Sequence, residues 1–177
     1  IIHTYGQENI SDAQVYDAIN MLNEDFRKQH SNTSDIIPEF QGIAGDMEIE
    51  FRLAQLDPFG NCTTGITRTV SNTTHTGSGQ SNAVKDVHGF WRGSDYMNIF
   101  VVENLGLYEG TLGYTYPIGS TNMNKGIYIW HRAFGSIGTG YNNPKYSHTQ
   151  AHEAAHWLNL YHTYGNGQIG ANCGDTD

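Results

Sequence analysis

The chain has 177 residues, a formal net charge of −9, 37% hydrophobic and 15% charged residues, 21 glycines and 11 tyrosines. That length suits one domain burying about two-thirds of its unfolded surface. The composition excludes a disordered or fibrous chain, no run approaches the roughly 20 apolar residues of a spanning helix, and the acidic balance argues against a nucleic-acid partner, whose phosphates call for a basic face.

Ile1 is preceded by no methionine, basic n-region or apolar h-region, so a signal or pro-segment is expected to have been removed or to lie outside this sequence. Scarce lysine beside abundant Asn, Thr, Ser, Gly and Tyr suits an extracellular protein. The two cysteines, Cys62 and Cys173, allow one long-loop disulfide, two bonds to sequence elsewhere, or two free thiols.

Along the chain, Ser11 and Gln14 form a capping box, and Val15, Ile19, Leu22 and Phe26 recur at helical spacing, which predicts a helix over 12–29. In 47–53 Met47, Ile49, Phe51 and Leu53 alternate with Glu48, Glu50 and Arg52, the pattern of a strand with one buried face. Asp57, Pro58, Gly60 and Asn61 predict a turn, and the polar run 71–82 an exposed loop. The apolar run 96–102 (YMNIFVV) reads as a strand covered on both faces and central in its sheet. Further strands are expected at 113–117 and 126–130 (GIYIW), and a second helix from about Thr149, with Thr149 as N-cap. No internal repeat or linker divides the chain, so residues 1–177 are read as one domain.

The second helix carries the chemistry, in the segment HEAAHWLNLYH at 152–162. His152 and His156 stand one helical turn apart on one face, so both imidazoles can reach one zinc ion at about 2.0–2.1 Å. Glu153 follows the first histidine, placed to accept a proton as general base rather than to ligate. His162 lies six residues past His156 and would be carried away by a continuing helix. A left-handed residue at 159 would stop the helix and swing His162 back, and asparagine is the non-glycine residue best suited to that conformation. Three protein ligands leave a fourth position open, the arrangement of a catalytic zinc. The reaction this implies is peptide-bond hydrolysis without a covalent intermediate.

The segment HEAAHWLNLYH resembles the long zinc signature of the metzincin clan. Its pappalysin family is resembled more widely, through MLNEDF (21–26), IEFRLAQLDPFGNCTTGITR (49–68), YMNIFVV (96–102), LGYTYP (112–117) and GIYI (126–129). The resemblance implies an α/β (α+β) catalytic domain, with a twisted mixed sheet, a backing helix and an active-site helix, in a secreted zinc endopeptidase. It further implies that an extended peptide pairs with an edge strand, expected to be 126–130. Asn159 stands where the family has glycine. The methionine turn of the clan lies beyond the third histidine, whereas Met21, Met47, Met97 and Met123 all precede the motif. The C-terminal subdomain is therefore expected to lie largely outside this sequence, with Cys173 bonded to a cysteine past 177 and Asp177 beginning a calcium site.

Other residues receive plainer readings. His148, four before His152, would compete as a ligand only if the helix began early, leaving His162 unexplained. His3, His30, His75, His88 and His131 have no partner spacing and read as surface or satisfied core residues. Trp157, Leu158 and Leu160 read as core packing, as do Tyr128 and Trp130, although the last two could line a cleft. The competing function is a non-catalytic binding module using zinc as a structural clip, which requires a fourth protein ligand. The sequence does not fix the oligomeric state.

Overall fold

The structure, a computed structural model, describes residues 1–75, 91, 93–106, 110–116 and 126–162. Strand β1 (Ile2–His3) is followed by helix α1 (Asp12–Phe26), a single turn α2 (Pro38–Gln41), and strands β2 (Thr69–Val70), β3 (Ile99–Val102), β4 (Gly113–Tyr116) and β5 (Gly126–Trp130). Two helices, α3 (Pro144–Ser147) and α4 (Thr149–Trp157), complete the order. β1 and β2 pair in parallel; in the main sheet β5 lies between β3, its parallel partner, and β4, its antiparallel partner. The result is a mixed α/β fold.

Alternation along β5 sorts the core onto two faces. Ile127 and Ile129 join Val101, the α1 residues Val15, Ala18, Leu22 and Phe26, and the α4 residues Ala154 and Trp157 in one cluster. Tyr128, fully buried, points the other way with Ile2, Val102 and Leu105. Its ring is stacked between Phe100 at 4.7 Å and Tyr114 at 4.8 Å. Burying a side chain of this size contributes about 1.5–3 kcal/mol, so β5 is the strand on which both layers depend.

Helix α1 begins as expected: the Ser11 hydroxyl accepts the Gln14 N–H at 3.2 Å. The reciprocal half of the capping box is not made. Instead the buried Gln14 amide donates to the carbonyls of His131 at 3.0 Å and Phe134 at 2.8 Å, while its oxygen accepts the Thr139 N–H at 3.0 Å. A long-range task therefore overrides a local one. The helix ends at Phe26 rather than 29, because Lys28 is left-handed, with φ 51°. The Gln29 N–H then bonds Glu24 O at 2.7 Å and the Lys28 N–H bonds Asp25 O at 3.2 Å, a Schellman closure.

Three expectations are corrected. Segment 47–53 forms no strand: Ile49, Phe51 and Leu53 do pack on the core, but the Phe51 backbone bonds the Asn23 amide, at 2.7 and 3.0 Å, rather than a neighbouring strand. The strand in 96–102 is only Ile99–Val102 and, among the described residues, flanks the sheet rather than occupying its centre. Conversely 126–130, expected as the edge, is hydrogen-bonded on both sides. The Asp57 turn forms, with Asp57 Oδ1 accepting the N–H groups of Phe59 and Asn61 at 2.9 and 2.8 Å. Within the polar run, Thr74 is buried: its hydroxyl donates to Ile2 O at 2.8 Å and accepts the Glu103 N–H at 2.9 Å. Residues 76–82 of that run lie outside the described residues, as do Pro117 of the 113–117 strand and His88.

His131 is a core residue, as read, with Nδ1 2.8 Å from the Thr139 hydroxyl. Its burial, reinforced by the charge of Arg132, lowers its pKa from 6.5 to about 4. A folded pKa below the unfolded one means that the unfolded chain takes up the proton first as pH falls. Stability is thus unaffected above pH 6.5 and lost progressively between about 6.5 and about 4. The full loss is on the order of 3 kcal/mol, at 1.36 kcal/mol per unit. Urea unfolding at pH 7 and pH 4.5 should show it, and a His131→Gln variant should show a shallower acid dependence.

Candidate metal centre

The helix that carries the candidate ligands is prepared by the segment before it. The Asn143 side chain caps α3, and Pro144 occupies its first position. The chain then continues through His148 almost without interruption, since the His148 carbonyl accepts the N–H groups of Ala151 and His152, both at 3.1 Å. Thr149 is consequently the first residue of α4, not its N-cap; His148 holds that position with no side-chain capping bond.

At the other end α4 stops after Trp157. Asn159 adopts φ 65°, the left-handed conformation expected of it. The Asn159 N–H bonds His156 O at 2.9 Å and the Leu160 N–H bonds Ala155 O at 3.0 Å, which is again a Schellman closure. The reversal returns His162 to the helix face of His152 and His156. The three Nε2 atoms form a triangle with sides of 3.1 Å (His152–His156), 3.0 Å (His156–His162) and 3.2 Å (His162–His152). Nitrogens at 2.0–2.1 Å around a tetrahedral zinc would be about 3.3 Å apart. The triangle fits such an ion. His156 Nδ1 lies 2.7 Å from Leu160 O, so that nitrogen carries the proton and Nε2 presents its lone pair.

Glu153, the residue after His152, lines the same cleft as that histidine. It is 5% exposed and lies against strand β4. The Thr115 hydroxyl is 2.7 Å from Glu153 Oε2 and 2.9 Å from the Glu153 carbonyl oxygen, its one proton shared between them. Gly113 makes this approach possible, because a Cβ there would stand 2.9 Å from Glu153 Cγ. Burial raises the Glu153 pKa above the usual carboxylate value, against the opposing effects of the Thr115 bond and the His156 charge. Burial likewise lowers the pKa of His152 and of His162, with neighbouring imidazoles adding to the effect. An open cleft of about 640 Å³, lined by Gly113, Thr149, His152 and Glu153 among others, exposes His152 and Glu153 to a ligand. A separate apolar cavity of about 420 Å³ beside Ile19, Phe51, Ile66 and Phe100 contains none of the three imidazoles.

Thr115 and Gly113 went unnoticed in the sequence as site residues. The available signal was the glycine inside a strand pattern, which marks close approach of another group. Trp157 packs in the core, but Leu158, the C-cap, and Leu160, past the left-handed turn, are exposed. Tyr128 is core and Trp130 partly so. His148 bonds Asp25, not the histidine triangle. Cys62 is exposed and unpaired among the described residues, while Cys173 and Asp177 lie outside them.

No family model and no curated protein matches the sequence. Solved structures do. The whole chain aligns with mature mirolysin of Tannerella forsythia in complex with a cleaved peptide, at 32% identity and a TM-score of 0.88, spanning 66% of that chain. A promirolysin mutant from the same organism matches over the whole chain at 32% identity and TM-score 0.85, with 58% of its length spanned. Mirolysin in complex with compound 9 matches 94% of the chain at 34% identity and TM-score 0.82, with 63% of its length spanned. Fold and likeness together define a catalytic domain of the metalloprotease type. The chain belongs to the pappalysin family of the metzincin clan.

The helix stop can be tested directly. Asn159→Gly should be nearly neutral, whereas Asn159→Val should cost about 1–2 kcal/mol from the left-handed penalty and weaken zinc retention. Chemical denaturation and competition with a zinc-sensitive dye measure the two effects; equal stability of both variants would contradict the assigned conformation.

Proposed function

We propose that the chain is the upper part, with the zinc-binding helix, of the single catalytic domain of a secreted zinc endopeptidase, in which His152, His156 and His162 hold the metal and Glu153 is the general base. The triangle of Nε2 atoms beside a buried carboxylate carries this reading. When bound, zinc would polarise the scissile carbonyl and acidify a water molecule. Glu153 accepts that water's proton at a carboxylate oxygen and returns it to the leaving amine, a role suited to a carboxyl whose pKa burial raises above the ordinary carboxylate value. Thr115 orients the carboxylate, and the Leu160 carbonyl orients the His156 ring.

Substrate pairing moves from 126–130 to β4. Strand β4 borders β5 on one side only among the described residues, and it carries Thr115 beside Glu153. An extended peptide added to its free edge would run along the cleft, with backbone bonds giving affinity and pockets giving specificity. The mirolysin complex with a cleaved peptide supports a peptide as substrate. Secretion is proposed from composition and from this family likeness; no helix among the described residues is long and apolar enough to cross a membrane. The structural-clip alternative requires a fourth protein ligand, and among the described residues no other His, Cys, Asp or Glu joins the trio. A structural calcium ion at Asp177 remains part of the proposal for the longer protein.

In the longer protein, Glu153→Ala should abolish casein cleavage while elemental analysis still finds zinc; retained cleavage would refute the assigned base. Zinc content should also follow pH. The lowered imidazole pKa values of His152 and His162 keep these rings neutral above the ordinary 6.5, so bound zinc should be constant there. It should fall as acid protonates the rings, at about pH 5–6 and below. A zinc content unchanged between pH 4 and 8 would contradict imidazole ligation.

A further inference from the structure

The left-handed closure that returns His162 to α4 has a counterpart at the end of α1. Lys28 reverses the chain there, and His30 comes back beside Asp25 in the last helical turn. His148, at the junction of α3 and α4, meets them from the other side. One ligand atom from each of Asp25, His30 and His148 lies within 4.8 Å of the other two, and all three residues are half-buried.

We propose that Asp25, His30 and His148 form a second metal site, taking a divalent transition ion of the zinc type in a structural role. Two imidazoles and a carboxylate are a donor set that suits zinc and disfavours calcium or magnesium, which prefer oxygen throughout. The His30 and His148 rings are 4.5 Å apart at 80°. That is nearly the arrangement of His152 with His156 (4.6 Å, 85°) and of His156 with His162 (4.5 Å, 89°). His148 Nδ1 is 2.7 Å from Asp25 Oδ2. A simple His–Asp pair would account for that distance, but not for the approach of a second imidazole. His30 Nδ1 receives only a long contact, 3.4 Å, from the Asn32 N–H, which coordination would replace. An ion at this position ties the end of α1 to the start of α4, one turn before His152, where α4 lacks a side-chain cap. It would brace the helix that presents the catalytic trio without touching substrate.

The site is independent of the proposed catalytic zinc, and a zinc count separates them. The full chain, loaded with Zn²⁺ and dialysed, should retain two zinc ions per chain by elemental mass spectrometry. His30→Ala should retain one, and His156→Ala/His162→Ala should also retain one. Adding Zn²⁺ to the latter variant should raise its melting temperature, and further substitution of His30 should remove that rise. Asp25→Asn, which preserves shape and a contact to His148, should give the same loss of one ion in a chain shown to be folded by circular dichroism. The second site is overturned if the unaltered chain holds one ion that survives His30→Ala, or if the His156→Ala/His162→Ala variant binds none and shows no thermal response. One ion lost with His30→Ala but kept by His156→Ala/His162→Ala would support this site and refute the catalytic trio instead.

Discussion

A helix that continued past Leu158 would carry His162 about 9 Å further along the axis from His156 and about 240° around it. No metal could then be shared. The reversal at Asn159 replaces that divergence with convergence, using two backbone bonds that the last turn of any helix leaves available. The left-handed residue brings three Nε2 atoms within 3.2 Å of one another, with the His156 ring fixed by the carbonyl of the same turn. The candidate site is therefore a consequence of how α4 ends as much as of what it contains.

The sheet supplies the other half of the candidate site. Glu153 is held against β4, where the missing side chain of Gly113 makes room and the Thr115 hydroxyl supplies a bond. Burial that would otherwise favour a neutral carboxyl is partly offset by that bond and by His156. Burial thus acts on the two kinds of group in opposite senses, lowering the pKa of His152 and His162 and raising that of Glu153.

Much of this was legible in the sequence because it rests on short spacings. The i, i+4 histidines, the adjacent glutamate and the asparagine at 159 each obey local rules, and Ser11 caps α1 as its residue type predicts. What failed were expectations that depend on distant partners. Nothing in 47–53 reveals that Asn23 takes the backbone bonds of Phe51, and nothing in GIYIW says on how many sides the strand is paired. His30 and His148 stand 118 positions apart in the chain and meet only because α1 and α4 share a core. Thr115 was hidden for the same reason.

Strand β4 alternates between two duties: Gly113 and Thr115 meet Glu153, while Tyr114 and Tyr116 turn toward Tyr128 on the opposite layer. Sliding β4 by one position against β5 would exchange them, driving a phenol into the carboxylate and a glycine into the aromatic stack. The interlocked rings of Phe100, Tyr128 and Tyr114 therefore act as an alignment pin for the candidate site on the far side of the sheet. Residues outside the candidate site set the frame in which Glu153 is aimed.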